Sequence, residues 1–418
     1  NIASNKKKRA GKRNRCAAME TQLSDIPEAI MSNIFSLVEG SRTRNRMALV
    51  CSKWRQMERA TRWRLCLRGN ISKMYELPLC FQGVTHLDLS LLSPWGYPPL
   101  DTSTSDGRFV AHLLKRAFPT VCDITIYARN ARNIDTLALL WPWLEHVKLV
   151  RWHQRATDPE SPMGELVALL RNCVMLKTLD LSQFYCWTED VAPALLAAPN
   201  VSLNLSSLNL LKLSTDGFKA AELAAISAVC RNLQQLYALC VFDSRYMDFV
   251  GDEALVTIAK HCSKLRVLHL VDKTAFGDLR GDPEEGFSAE DAKISRQGLE
   301  EMFKSLPNLE DLMLDVSQNV RDTGPALEFL GLQCKKIRAL KLGHFHGVCK
   351  GPQPDGIAMC ANLEMLSIKN CADLGDTGLA AIAAGCCRLK KLELQGCKQI
   401  TEFGIKFCSS NLRKTLVD

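Results

Sequence analysis

The sequence predicts an α/β fold: a right-handed leucine-rich-repeat solenoid, parallel strands on the concave face and helices on the convex face, preceded by a small all-α module. Three observations carry this. An apolar-x-x-apolar-x-apolar core recurs eleven times between residues 84 and 394, typically at intervals of 25 to 32 residues, the period of a leucine-rich repeat. Helix-period segments fill the intervals. Cysteines recur at fixed offsets from the cores, as buried small hydrophobes do in such arrays. With 418 residues, 47% of them hydrophobic and 23% charged, a single small module is excluded and apolar material is ample.

Taken in order, residues 1–18 hold Lys6, Lys7, Lys8, Arg9, Lys12, Arg13 and Arg15 and no acid. Beyond them 46 basic residues face 45 acidic ones, so nearly all of the net charge of +8 belongs to this tail and the body is nearly neutral. The segment KKKRAGKRNR reads as a nuclear import signal, a phosphate-binding arm or a silent disordered tail. Met19, before ETQLSDIP, reads as a natural initiator. There is no apolar leader region and no run approaching 18 apolar residues, so neither secretion nor membrane spanning is indicated. The 18 cysteines are therefore expected to be mostly free thiols.

Residues 19–62 depart from the repeat. LSDIPEAIMSNIFSLV predicts a helix with Pro27 at its first position and Glu28 in its first turn, both favourable at a helix start. Ile26, Ile30, Ile34 and Leu37 form one stripe and Met31, Phe35 and Val38 a second, more apolar circumference than one core face needs. SRTRNRMALVCSKWRQMERATR predicts further short helices anchored by Met47, Leu49, Val50, Trp54 and Met57. So small a module is marginal alone, and its surplus apolar surface points to docking.

The solenoid is expected over 63–418. RWRLCLRG alternates with period two and reads as the first strand and cap. The cores follow as VTHLDL, VCDITI, LEHVKL, LKTLDL, LNLLKL (208–213), LQQLYA, LRVLHL, LEDLML, IRALKL, LEMLSI and LKKLEL. Alternate side chains of each x-L-x-L strand point to opposite faces, leucines inward. In DEALVTIAKHCSKL, Leu255, Ile258, Ala259 and Cys262 share the face of a return helix. Neither element buries its apolar side alone, so stacking supplies the core. Cys173, Cys230, Cys262, Cys334, Cys360 and Cys386 each lie three residues before a core, and Cys371 and Cys397 eight residues after one begins. Two polar insertions, SPWGYPPLDTSTSDG and DKTAFGDLRGDPEEGFSAEDAK, read as projecting loops, either binding elements or spacers.

IPEAIMSNIF followed by ALVCSKWRQM resembles an F-box, with its opening proline and later Val-Cys and Trp. From about Gln22 onward, HLDLSLLSPWG, LVRWHQRA, FYCWTEDVAP, CVFDSRYMDFVGDEAL, CKKIRALKLGHFHGVC and SIKNCADLGDTGL are similar to the plant F-box/leucine-rich-repeat proteins of strigolactone and karrikin signalling, the MORE AXILLARY GROWTH type. That resemblance implies a nuclear substrate-recognition subunit that binds a Skp1-like adaptor and through it a cullin. It further implies an α/β-hydrolase hormone receptor and ubiquitination of transcriptional repressors. The family chain continues with more repeats and a receptor-contacting terminal helix, whereas NLRKTLVD lacks the polar cap a solenoid requires. The expectation is a truncated chain in which adaptor binding survives and receptor docking is in doubt.

For adaptor contact the residues expected are Ile26, Pro27, Ile30, Ile34, Val50 and Trp54, with core packing of a three-helix module as the competing role. Trp152, His153, Arg155, Tyr185, Trp187, Arg245 and Tyr246 come just after strands, where aromatic and Arg side chains serve either as partner anchors or as packing between units. There is no C-x-x-C pair, phosphate loop or G-x-S-x-G elbow, so no metal, cofactor or catalytic residue is assigned. His344, His346 and Cys349 in GHFHGVC read as a structural or partner-facing turn. Two alternatives stay open: a receptor holding a small hormone directly in its concave face, and a nucleic-acid-associated scaffold using the basic tail. No membrane is implied, and nucleic acid is the weaker reading because the body is nearly neutral.

Overall fold

The computed structural model describes residues 26–68, 74–92, 105–128, 131–151, 164–212, 216–273 and 291–417. The basic segment, the trio Trp152, His153 and Arg155, and most of both insertions lie outside the described residues. Two compact units divide at Trp63 and Arg64.

The first unit contains α1 (Glu28–Leu37), α2 (Ser41–Met47) and α3 (Ser52–Thr61). Pro27 is the residue before α1 and not its first turn: its ψ of 141° is extended, while its carbonyl accepts from Ile30 and Met31. Met31 and Phe35, one turn apart, pack with Met57, and Ile26, Met47 and Trp54 lie alongside. Trp54 meets the Phe35 ring edge-on at 5.1 Å. Leu49 and Val50 are not anchors; they are 77% and 61% exposed, in a tight turn whose N–H groups cap the end of α2. A polar network ties the helices instead. The buried Arg44 pairs with Glu58 at 3.1 Å and donates to the carbonyls of Phe35, Val38 and Glu58, closing the carboxyl ends of α1 and α3. Arg62 pairs with the same carboxylate.

In the second unit β1 (Arg64–Arg68), β2 (His86–Leu91), β3 (Asp123–Tyr127), β4 (His146–Arg151), β5 (Thr178–Phe184) and β6 (Ser207–Leu210) lead the sheet. β7 (Gln235–Cys240), β8 (Val267–Asp272), β9 (Asp311–Val320), β10 (Ala339–Phe345), β11 (Met365–Lys369) and β12 (Lys391–Gln395) complete it. All twelve pair in chain order, and every pairing is parallel. The returns carry α4 (Ser105–Ala117), α5 (Ala131–Leu140), α6 (Gly164–Asn172), α7 (Thr188–Leu196), α8 (Pro199–Asn204) and α9 (Ala220–Val229). Further on they carry α10 (Asp252–His261), α11 (Arg296–Ser305), α12 (Gly324–Gln333), α13 (Asp376–Gly385) and α14 (Glu402–Asn411). The last three residues of SPWGYPPLDTSTSDG begin α4 and are not loop.

One core is framed differently from expectation. Leu208 pairs with Leu179 and Leu236, so the unit is LSSLNL, with Leu205, Leu208 and Leu210 buried, and not LNLLKL. Both phrases satisfy the same pattern; Lys212, at φ 61°, already turns out of the strand. The corrected start lies 29 residues after the previous one and 28 before the next, evening out those two intervals.

The six cysteines preceding cores are buried at the exits of helices or turns. The thiols of Cys173, Cys262, Cys334, Cys360 and Cys386 donate back to the preceding unit, as Cys262 does to Cys230 O at 3.4 Å and Cys334 to Leu306 O at 3.3 Å. Cys371 is buried and Cys397 half-buried. A second device repeats on the helix side. Asp252, opening α10, accepts from the backbone N–H and hydroxyl of Ser295, the residue capping α11. Asp376 accepts likewise from Thr401, which caps α14. In both helices the third residue is glycine, Gly298 or Gly404, and a Cβ there would collide with the aspartate.

Candidate functional site

On the first unit, α1 turns Ile30, Ile34 and Leu37 outward in one line, because Met31 and Phe35 point inward. Ile30 is 51% and Ile34 46% exposed, and Leu49 and Val50 add exposed apolar side chains in the turn before α3. Of the residues expected at this surface, Pro27, Ile30, Ile34 and Val50 are exposed, whereas Ile26 and Trp54 are partly buried against the module's core.

The second unit opens a cleft of about 930 Å³ where the chain leaves β5 to β8. Trp187 and Tyr246, 59 residues apart in sequence, both line it, with Met247 beside them. Glu189, Asp190, Asp216 and Asp248 outnumber Lys219 and Lys273 in its wall, giving an acidic surround to two aromatic rings. Lys273 Nζ lies 3.7 Å from the Tyr246 ring centroid, a cation held against a π face. Gly217, at φ 73°, permits the approach of this wall to β7, since a Cβ would stand 3.0 Å from the Cys240 carbonyl carbon.

Tyr185 and Arg245 support the cleft without lining it. Tyr185 meets Trp187 edge-on at 6.3 Å, and its carbonyl accepts twice from Arg151 at 2.7 and 2.9 Å. Arg151 is buried, forked onto Glu165 through two bonds of 3.0 Å and stacked on Phe184. This brace escaped sequence reading, because nothing in the repeat pattern marks a charged residue at the end of a strand as buried. Arg245 is committed to Asp243, and the guanidinium holds that carboxylate below its usual range.

The turn after β10 separates the residues of GHFHGVC. His344 Nδ1 is 2.8 Å from Val316 O, while the Cys349 thiol donates to Asp355.

A three-helix module bearing an uncovered apolar line, together with a parallel leucine-rich array in the same chain, is the organisation of an F-box/leucine-rich-repeat protein. The comparisons make the class specific. Over 405 residues the chain is 50% identical to F-box protein MAX2 homolog A of Petunia hybrida, spanning 96% of this chain and 57% of that one. It is 44% identical to F-box protein MAX2 of Arabidopsis thaliana, across 95% and 58% of the two chains. To the F-box/LRR-repeat MAX2 homolog of Oryza sativa subsp. japonica it is 40% identical, across 94% and 58%. The chain is similar to the MAX2 F-box/leucine-rich-repeat proteins along nearly its whole length and spans a little over half the length of these curated relatives. No protein-family model matches it.

Proposed function

We propose that the chain acts as the substrate-recognition subunit of a Skp1–cullin–F-box ubiquitin ligase in strigolactone and karrikin signalling. The module holds a Skp1-like adaptor and through it a cullin. The repeat array presents transcriptional repressors, with an α/β-hydrolase hormone receptor as co-partner. The chain supplies proximity and no chemistry of its own. Residence in the nucleus is part of this reading, with Lys6 to Arg15 as the import signal.

The observation that carries the proposal is the exposed line Ile30, Ile34 and Leu37 on a module whose core is built from other residues. Helix-borne aliphatic anchors of this kind dock into a partner's apolar groove. On the array, Trp187 and Tyr246 in an acidic cleft provide the aromatic anchors a protein partner requires. Co-purification with a Skp1-type adaptor tests the assignment. Ile30→Asp is expected to abolish capture while leaving the fold intact, since the side chain is half exposed; undiminished capture by a folded Ile30→Asp chain would overturn it.

A further inference from the structure

Three successive units converge at one point where the chain leaves β9, β10 and β11. His346, Cys371 and Asp373 each offer a donor atom there, and all three donors lie within 4.8 Å of one another. Cys371 Sγ is 3.2 Å from Asp373 Oδ1, and His346 Nδ1 is 3.9 Å from the same oxygen. A tetrahedral ion with bonds of about 2.0 to 2.3 Å places its donors roughly 3.3 to 3.7 Å apart, so closure needs shifts well under the length of one bond.

The surroundings orient each donor. His346 Nε2 lies 2.9 Å from Asn319 Oδ1. A carbonyl there accepts an N–H, which places the imidazole lone pair on Nδ1, facing Cys371 and Asp373. In the metal-free chain that lone pair accepts from the backbone N–H of Ala372 at 3.2 Å, a bond the ion would displace. Asp373 Oδ2 accepts from Gly347 N at 2.7 Å, leaving Oδ1 as the inward oxygen. A histidine whose far nitrogen is held by an amide oxygen and a carboxylate whose far oxygen is held by an N–H are the supports that metal ligands receive.

We propose that His346 Nδ1, Cys371 Sγ and Asp373 Oδ1 form a zinc site stapling the turns after β10 and β11. One nitrogen, one sulfur and one oxygen donor suit Zn²⁺, and hard ions such as Mg²⁺ would avoid the sulfur. The ion replaces the thiol proton now shared with Asp373, releasing it to solvent, and sulfur binds as thiolate. Asp373 is exposed, so a water completes the tetrahedron. The trio differs from the histidine-turn residues read together in the sequence: His346 is retained, while Cys371 and Asp373 come from the next unit.

The 418-residue chain, stripped with chelator, is titrated with Co²⁺ as a spectroscopic probe and then challenged with Zn²⁺. Expected are a saturable sulfur-to-cobalt band in the near ultraviolet, visible bands of four-coordinate intensity, and displacement of both by Zn²⁺. His346→Gln and Asp373→Asn, chosen because they leave the buried thiol in place, should abolish these bands with metal-free thermal stability retained. Asn319→Ala should weaken binding about 10- to 100-fold. Absence of the bands in the parent chain, or their undiminished presence in both ligand variants, would overturn the proposal.

Discussion

Gly298→Ala is the sharpest test of the aspartate clamp between α10 and α11. Alanine is the better helix former by about 1 kcal/mol, so propensity alone predicts stabilisation. The structure predicts the reverse. The new Cβ would stand 2.8 Å from the Cβ of Asp252 and closer still to its carboxyl group. Rotating the carboxylate clears only the latter, because Cβ does not move with χ1. The clamp must therefore open, giving up two bonds from Ser295 to a carboxylate; at about 1.5 kcal/mol each, the lower end for a charged acceptor in an exposed place, the loss is about 3 kcal/mol. The net expectation is destabilisation by about 2 kcal/mol. Asp252→Gly, which removes the carboxylate and the Cβ together, should cost about 4 kcal/mol, of which about 1 kcal/mol is its own lost helix propensity, and the double variant about 3 kcal/mol, since the clash is then gone and the gain from Gly298→Ala remains. That is a coupling of about 3 kcal/mol against additivity. Urea unfolding of the four chains, with amide exchange of α11 as a local readout, decides it. A Gly298→Ala chain as stable as its parent, or additive effects in the double variant, would refute the reasoning.

Four further outcomes follow from geometry already described. Gly404→Ala should be milder than Gly298→Ala in the same urea assay, because the Asp376 Cβ stands off at 3.1 Å and a rotamer change suffices. Glu58→Gln leaves Arg44 and Arg62 buried without their shared counter-charge and should destabilise the helical module by about 3 to 5 kcal/mol, read by loss of protection in α1 and α3. Burial pushes the thiols of Cys173, Cys230, Cys262 and Cys334 up to about 12, so they ionise more readily in the unfolded chain. Stability should hold below about pH 9 and fall above it by about 1.4 kcal/mol per pH unit for each such thiol, and urea midpoints in Cys262→Ala should show a shallower decline. Trp187→Ala with Tyr246→Ala should weaken capture of a repressor substrate while co-purification of the adaptor persists.

Much of this was legible in the sequence because burial in a stacked array is periodic. The leucines and the pre-core cysteines fall where counting puts them, and the surplus stripe of α1 is exposed as its circumference required. Counting failed where two frames fit one pattern, at Leu205 and Leu208, since only strand pairing distinguishes them. It failed again at Leu49, expected to anchor the short helices and found exposed. Polar braces such as Arg44 with Glu58 and Arg151 with Glu165 join residues 14 apart in sequence, at no spacing that any regular element imposes. The cleft that joins Trp187 to Tyr246 depends on where the chain leaves four successive strands, which residue type alone does not state.

The cysteine ladder makes the array a self-reporting ruler of local opening. A thiol that donates to the carbonyl of the preceding unit, as in Cys262, Cys334 and Cys386, reaches an alkylating reagent only when that junction parts. Its labelling rate, divided by that of a free thiol, is then the opening equilibrium of one named junction. Because repeats couple chiefly to their neighbours, the set of rates read from Cys173 to Cys386 would trace a free-energy profile along the solenoid without any engineered probe. Comparing that profile with and without a bound partner would show which junctions the partner clamps.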